Sequence, residues 1–209
     1  MSDDESEVMA RWWHPAKGDV VFDVGCATGN WSIPAMRAGA FVYAFDPDPT
    51  AYAQFKFNTD KWGFTPGNFL IMNVALGAEN NDYWSIKDEW LKMGVPLSVM
   101  TEYLDRLDSS GGYVTLRTLD HYADMVGDRI DWIKIDVEGF EYDVVKGGIE
   151  LLKKYHPRLI VENHSNVEHI GPYAARRWPL LLVLLEDLGY QTTEVPYDQR
   201  SHLYAEVKK

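Results

Sequence analysis

Short apolar runs alternate with helix-length stretches along most of this chain. The segment Asp19-Val20-Val21-Phe22-Asp23-Val24, opened by Gly18 and closed by Gly25, reads as a strand buried on both faces. Comparable runs recur at Phe41 to Phe45, Phe69 to Val74, Trp132 to Val137 and Leu159 to Val161. Between them lie Asn30 to Ala38, Thr50 to Trp62, Phe140 to Tyr155 and Pro179 to Leu188, each of helix length. This alternation predicts βαβ units, and so an α/β fold with a mostly parallel central sheet and helices on both faces. The last helix has Pro179 at a first helical position and Gly189 just past its end, with Leu181, Leu184, Leu185 and Leu188 on one face.

Two places break the rhythm. Residues 79–116 offer no clean helix; Tyr83-Trp84-Ser85-Ile86 and Tyr113-Val114-Thr115-Leu116 read as strands of an insertion placed to wall a substrate pocket. At the carboxyl end, Tyr190 to Val195 and Leu203 to Val207 are separated by Pro196, Asp198 and Ser201, the pattern of an antiparallel hairpin added to the parallel sheet. With 209 residues, 46% hydrophobic and 25% charged, the composition is that of a single globular domain. Residues 1–10, carrying Ser2-Asp3-Asp4-Glu5-Ser6-Glu7, read as a mobile acidic tail and lack the charge of a signal peptide. A formal charge of −12 repels phosphate backbones and anionic lipid, so neither nucleic acid nor a membrane surface is the expected partner. Leu180 to Leu185, the strongest apolar run, is too short to cross a bilayer. A lone cysteine, Cys26, excludes an internal disulfide and suits a reducing, cytoplasmic setting.

Candidate chemistry begins at Asp23-Val24-Gly25-Cys26-Ala27-Thr28-Gly29, which leaves the first strand and enters a helix. Its glycines let the backbone approach a ligand closely. The spacing is D-x-G-x-x-x-G, whereas a pyrophosphate cradle reads G-x-G-x-x-G, and an acid before the loop suits a cationic ligand better than an anionic one. Asp46, in Ala44-Phe45-Asp46-Pro47-Asp48, closes the second strand, where a carboxylate accepts both hydroxyls of a ribose. Together the two features predict an adenosine-bearing ligand across the carboxyl ends of the strands. A helix cap or a turn acid is the alternative role for each carboxylate.

At these residues the chain resembles the FkbM-type methyltransferases, within the class I S-adenosylmethionine-dependent methyltransferases. The resemblance rests on Val21-Phe22-Asp23-Val24-Gly25 with Gly29, on Asn73-Val74-Ala75-Leu76 and on Thr118-Leu119-Asp120. Its longest and most specific block runs Asp131-Trp132-Ile133-Lys134-Ile135-Asp136-Val137-Glu138-Gly139-Phe140-Glu141, followed by Lys146-Gly147. It implies the Rossmann-like class I methyltransferase fold, S-adenosyl-L-methionine as cofactor, and an acceptor oxygen on a small molecule, sugar or glycan. Position by position it implies that the loop from Gly25 through Cys26 to Gly29, led by Asp23, meets the methionine moiety. Asp46 would meet the ribose and Asn73 the adenine edge. The family more often carries Ala-Asn where this chain has Cys26-Ala27.

A second constellation sits where the fourth and fifth strands end. Alternate side chains share a strand face, so Trp132, Lys134, Asp136 and Glu138 point one way if the strand stays regular. Lys134 reads as a structural ion pair reaching Asp23 or Glu162, since strand rise puts Asp136 about 7 Å away. Asp136 and Glu138 lie at the ligand-binding edge, able to hold an acceptor or take its proton. His164, in Val161-Glu162-Asn163-His164-Ser165, faces the same edge and is the expected histidine base, ahead of His14 and His121. Asp136, Glu138, Glu162 and His164 offer ligands for magnesium or manganese, yet no spacing pattern fixes a site, and no metal is assigned. Trp12 and Trp13 read as a cover over the sheet edge or over the cofactor. A nicotinamide-dependent oxidoreductase and a non-catalytic nucleoside-binding module share the fold and are the competing readings; the loop spacing opposes the first and the strand-end acids oppose the second.

Overall fold

A computed structural model describes residues 3–93, 113–168, 170–197 and 200–208. From the amino end come α1 (Asp3–Trp12), β1 (Val20–Val24), α2 (Ser32–Ala38), β2 (Phe41–Phe45), α3 (Pro49–Lys61) and β3 (Phe69–Met72). Next are β4 (Ala75–Leu76), β5 (Asn81–Ser85), α4 (Ile86–Met93), β6 (Tyr113–Arg117) and α5 (Leu119–Tyr122). The chain ends with β7 (Trp132–Ile135), α6 (Glu141–Lys146), α7 (Ile149–Tyr155), β8 (Arg158–Asn163), α8 (Gly171–Asp187), β9 (Tyr190–Tyr197) and β10 (Arg200–Val207).

Seven strands form one sheet in the order β3-β2-β1-β7-β8-β10-β9. The first five run parallel, and β10 pairs antiparallel with both β8 and β9, which is the expected Rossmann-like sheet with a carboxyl-terminal hairpin. After β1 the chain moves out to β2 and β3 and returns to β7 on the other side. The carboxyl ends of β1 and β7 therefore flank a topological switch point, where open α/β sheets take their ligands. Alternation along the strands feeds two cores. Phe22, Val24, Ile133 and Ile135 pack with Leu119, Val144, Leu152, Leu181 and Leu185 on one face. Val21, Val42, Trp132 and Ile160 pack with Trp13, Met36 and Phe55 on the other. Leu181 and Leu185 are fully buried, and each such side chain contributes about 1.5–3 kcal/mol.

The amino-terminal segment forms α1 where a mobile tail was expected, because Val8 and Met9 are buried against the sheet's second core with Trp13. Trp13 donates its indole N–H to Trp31 O at 3.2 Å, and Trp12 stacks on Tyr204, so the tryptophan pair covers sheet and helix. The last helix starts at Gly171, with Pro172 in its first turn, and Pro179 lies inside it. Both Pro179 and Ala175 are exposed, which leaves to water the carbonyl that Pro179 cannot serve. The stretch 140–155 splits into α6 and α7 at Gly147-Gly148, since a Cβ on Gly147 would lie 2.0 Å from Gly77 O. Within 79–116 a helix, α4, does form; β5 and β6 join β4 in a separate three-stranded sheet, and residues 94–112 of that insertion lie outside the described residues. Among the described residues no helix is long and apolar enough to cross a membrane.

Candidate active site

The glycine loop sits on the main chain of the neighbouring strand. Gly25 N and Cys26 N both donate to Phe45 O, at 2.9 and 3.1 Å, and Gly29 N donates to Cys26 O at 2.8 Å. Gly25 has φ +77, and a Cβ there would lie 1.7 Å from Asp136 O, so only glycine lets this loop touch the end of β7. Asp46 is 8% exposed and organises the rim. Its Oδ2 accepts from Ala27 N at 3.0 Å and its Oδ1 from Asp48 N at 2.9 Å, leaving one lone pair on each oxygen for a ligand. Burial pushes its pKa up to about 6 against these two hydrogen bonds, and the Asp48 carboxylate adds to the rise. Asn73 is exposed at the end of β3 and donates from Nδ2 to Asp46 O at 2.9 Å, tying the two strand ends together.

Two expected ligand contacts change character. The Asp23 carboxylate is fully buried and committed to protein partners, accepting from Ser32 Oγ at 2.5 Å, with Lys134 Nζ 3.5 Å from its other oxygen. Burial raises its pKa, while Lys134 and Ser32 work against the rise. Asp23 thus braces the loop from beneath, because an acid in the middle of a buried strand must find its partners inside. The Cys26 thiol packs into the core with Val21 and Trp31, and burial pushes its pKa well up, so only its main chain can face a ligand.

Lys134 joins the two halves of the crevice. Only 3% exposed, its ammonium donates to Gly25 O at 2.8 Å and pairs with Asp23 and with Asp136, the latter at 3.3 Å. The strand-rise argument against contact with Asp136 fails because β7 ends at Ile135 and the chain turns there. Burial opposes its charge, but Asp136 and Asp23 outweigh burial and raise its pKa. Asp136 is held below the usual carboxylate range by Lys134 and His164 despite its own burial.

Past Asp136 the backbone departs from strand geometry. Glu138 has φ +52, a left-handed conformation that disfavours residues with a Cβ and marks strain held for a purpose. The strain is held by Glu141, whose Oε1 accepts from Gly139 N at 3.0 Å and Val137 N at 3.3 Å. Sequence reasoning did not single out Glu141; its signal was its place three residues after Glu138, opening a helix. His164, wholly buried just beyond β8, brings the group together. Its Nδ1 lies 2.8 Å from Glu141 Oε1, and its Nε2 lies 3.4 Å from Glu138 Oε2 and 3.5 Å from Asp136 Oδ1. Burial opposes the imidazolium, but Glu141, Glu138 and Asp136 outweigh it and push the pKa up to about 10. These carboxylates favour the protonated ring, which weighs against the expected role of His164 as a free base. Desolvation first, then Asp136, Glu162 and Glu141, raise the Glu138 pKa; its side chain is 65% exposed, so water screens much of that effect.

An aromatic cluster gathers around Phe140, two residues past Glu138. Phe140 packs edge-on against Trp84 of the insertion at 5.4 Å and lies tilted against Tyr173 of α8 at 5.9 Å. The weaker histidines stand apart: His14 is exposed, with Nε2 2.8 Å from Arg11 O, and His121 is exposed in α5. Cavities lined by Met9, Trp13 and Pro34, and by Trp12, Trp132 and Arg158, open near α1 at the opposite end of the strands from this cluster.

Comparison with known proteins places this architecture. A haloarchaeal protein, the hexuronic acid methyltransferase AglP of Haloferax volcanii, is 26% identical over 72% of this chain and 58% of its own length. The 2-O-methyltransferase NoeI of Sinorhizobium fredii is 27% identical over 71% of this chain and 64% of its own length. The chain thus spans about three fifths of the length of these curated relatives. The crystal structure of the methyltransferase FkbM from Methylobacillus flagellatus superposes with a TM-score of 0.63 at 15% identity, covering 92% of this chain and 44% of that one. The family model of the methyltransferase FkbM domain matches residues 23–192, which take in the glycine loop, Asp46, the strand-end acids and His164, and the chain belongs to that family.

Proposed function

We propose that this protein transfers a methyl group from S-adenosyl-L-methionine to a hydroxyl of a sugar. One observation carries the reading: the glycine loop with Asp46 and the acid cluster at Asp136 and Glu138 lie side by side at the switch point, joined by Lys134 between Gly25 O and Asp136. The donor set fits the cofactor, since Asp46 keeps lone pairs for two ribose hydroxyls and the loop offers main-chain groups and no basic cradle for pyrophosphate. Bound there, S-adenosylmethionine supplies a methyl group already activated by its sulfonium. This chain's own residues then align the acceptor and relieve it of a proton. Glu138 is the proton acceptor in this reading, because it is the exposed acid of the cluster, whereas Asp136 is committed to Lys134. His164 and Glu141 position it.

A sugar acceptor is consistent with the aromatic cluster of Trp84, Phe140 and Tyr173, whose Phe140 follows Glu138 by two residues. The relatives' names, one a hexuronic acid methyltransferase and one a 2-O-methyltransferase, point the same way. The net charge of −12 argues against nucleic acid as acceptor, and a lone buried thiol favours the cytoplasm as compartment. Calorimetry tests the cofactor half: S-adenosylmethionine and S-adenosylhomocysteine bind and NAD does not. Binding of NAD with no response to either methionine nucleoside would refute it.

A further inference from the structure

His164 presents a buried nitrogen with nothing to hold. Nε2 makes no hydrogen bond, although Asp136 Oδ1 and Glu138 Oε2 flank it at 3.5 and 3.4 Å. One ligand atom from each of these three residues falls within 4.8 Å of the others. In a six-coordinate sphere with bonds of about 2.1–2.2 Å, donors stand about 3 Å apart when adjacent and about 4.3 Å apart when opposite, so the imidazole already lies near the spacing of a neighbour to both carboxylates, and the two carboxylates close around an ion with a shift of about 0.5 Å if they stand opposite each other. The remaining atoms of the same side chains are already engaged. Asp136 Oδ2 pairs with Lys134, and His164 Nδ1 lies against Glu141 Oε1, which the main chain of Gly139 holds in turn. A carboxylate behind the far nitrogen is the usual way a metal-binding imidazole is oriented. Around this point stand the carboxyl groups of Asp23, Asp136, Glu138, Glu141 and Glu162, against Lys134 and the His164 ring, so carboxyl groups outnumber the cationic partners.

We propose that Asp136 Oδ1, Glu138 Oε2 and His164 Nε2, the last giving up its proton to solvent as the ion enters, bind a divalent first-row cation such as Mn2+, which holds the acceptor hydroxyl in the crevice. The proposal rests on the methyl-transfer reading for its purpose, though not for its geometry. Two carboxylate oxygens and one imidazole suit Mn2+; the absence of thiolate ligands disfavours a structural zinc, and imidazole disfavours calcium. Three protein ligands leave positions open for the acceptor oxygen and water. There the hydroxyl would give its proton to the Glu138 carboxylate, the exposed acid of the cluster, and from it to solvent. Its oxygen then forms the new bond to the methyl carbon as the carbon–sulfur bond breaks, with that electron pair remaining on sulfur. The sequence offered these three residues together with Glu162 as ligands for magnesium or manganese but no spacing that fixed a site, because they come from a strand end, a strained turn and a second strand end.

Titration of metal-stripped protein with Mn2+, read by loss of the free-ion electron paramagnetic resonance signal, tests the site without reference to activity. The expected result is one ion per chain at a dissociation constant below the millimolar range. Glu138→Gln, at an exposed position, is expected to weaken binding at least 10-fold and to leave calorimetric binding of S-adenosylmethionine intact. No Mn2+ bound at millimolar concentration, or binding indifferent to Glu138→Gln, would overturn the proposal. Methyl transfer that persists in excess chelator would overturn the cation and leave the methyl-transfer reading standing. Mn2+ bound at these residues in a protein that methylates no sugar would support the site and refute that reading.

Discussion

Replacing Asp46 by asparagine separates the contribution of that side chain to folding from its contribution to binding. The folded-state pKa of about 6 lies above the 3.8 of an unperturbed aspartate, so the folded protein holds this proton more tightly than the unfolded chain does. The resulting stability is present at low pH and is lost as pH rises through 6. Integrated from pH 5 to pH 8, the loss is about 1.4 kcal/mol. Asparagine keeps one acceptor for Ala27 N or Asp48 N and turns a donor toward the other, a penalty of about 1–3 kcal/mol that does not vary with pH. The variant is therefore expected to be less stable than wild type at pH 5, with the gap narrowing by about 1.4 kcal/mol at pH 8. Urea unfolding of both proteins at both pH values, with the slopes compared, measures that gap. Loss of the charged acceptor should weaken S-adenosylmethionine binding about 10- to 100-fold, equivalent to about 1.5–3 kcal/mol. A gap that stays constant or widens with pH would refute the burial argument, and an unchanged dissociation constant would relegate Asp46 to a turn former.

Three further outcomes are expected. Gly25→Ala should abolish cofactor binding and lower the unfolding midpoint, since its methyl group would meet Asp136 O; calorimetry and thermal unfolding indistinguishable from wild type would contradict the loop geometry. Lys134→Met should destabilise the fold by about 3–5 kcal/mol, because it strands the buried Asp23 carboxylate, and a denaturant midpoint within error of wild type would argue against that pairing. Glu138→Gln should cut turnover by about 10²- to 10⁴-fold with cofactor affinity unchanged, and wild-type turnover on a verified acceptor would remove Glu138 from the chemistry.

What the sequence made legible follows from residue chemistry that acts locally. A buried parallel strand needs an unbroken apolar run, so β1, β2 and β7 stood out, and the switch-point rule then carried Gly25, Asp46, Asp136 and Glu138 to one edge. Tertiary contacts decided what remained. The strand pattern offered Lys134 a partner in Asp23 or Glu162, but Ser32, nine residues on, also engages the Asp23 carboxylate, and no pattern encodes that contact. The surroundings of His164 depended on Glu141, which looked like an ordinary first-turn acid of α6. The break at Gly147 reflects a close approach to Gly77, and α1 owes its place to Val8 and Met9 finding the sheet's second core. The family motif Thr118-Leu119-Asp120 also proves architectural: the Asp120 carboxylate accepts from Leu151 N at 2.7 Å and Glu150 N at 3.3 Å, fixing the start of α7.

Methyl transfer itself is measured most directly by incubating the protein with methyl-labelled S-adenosylmethionine, Mn2+ and a panel of neutral sugars, hexuronic acids and glycans, with mass spectrometry of the sugars. The account predicts a gain of one methyl group on a hydroxyl oxygen of at least one sugar, lost in the Glu138→Gln and Gly25→Ala proteins. Label transferred to nitrogen or carbon, or a sugar methylated equally well by the Glu138→Gln protein, would contradict it.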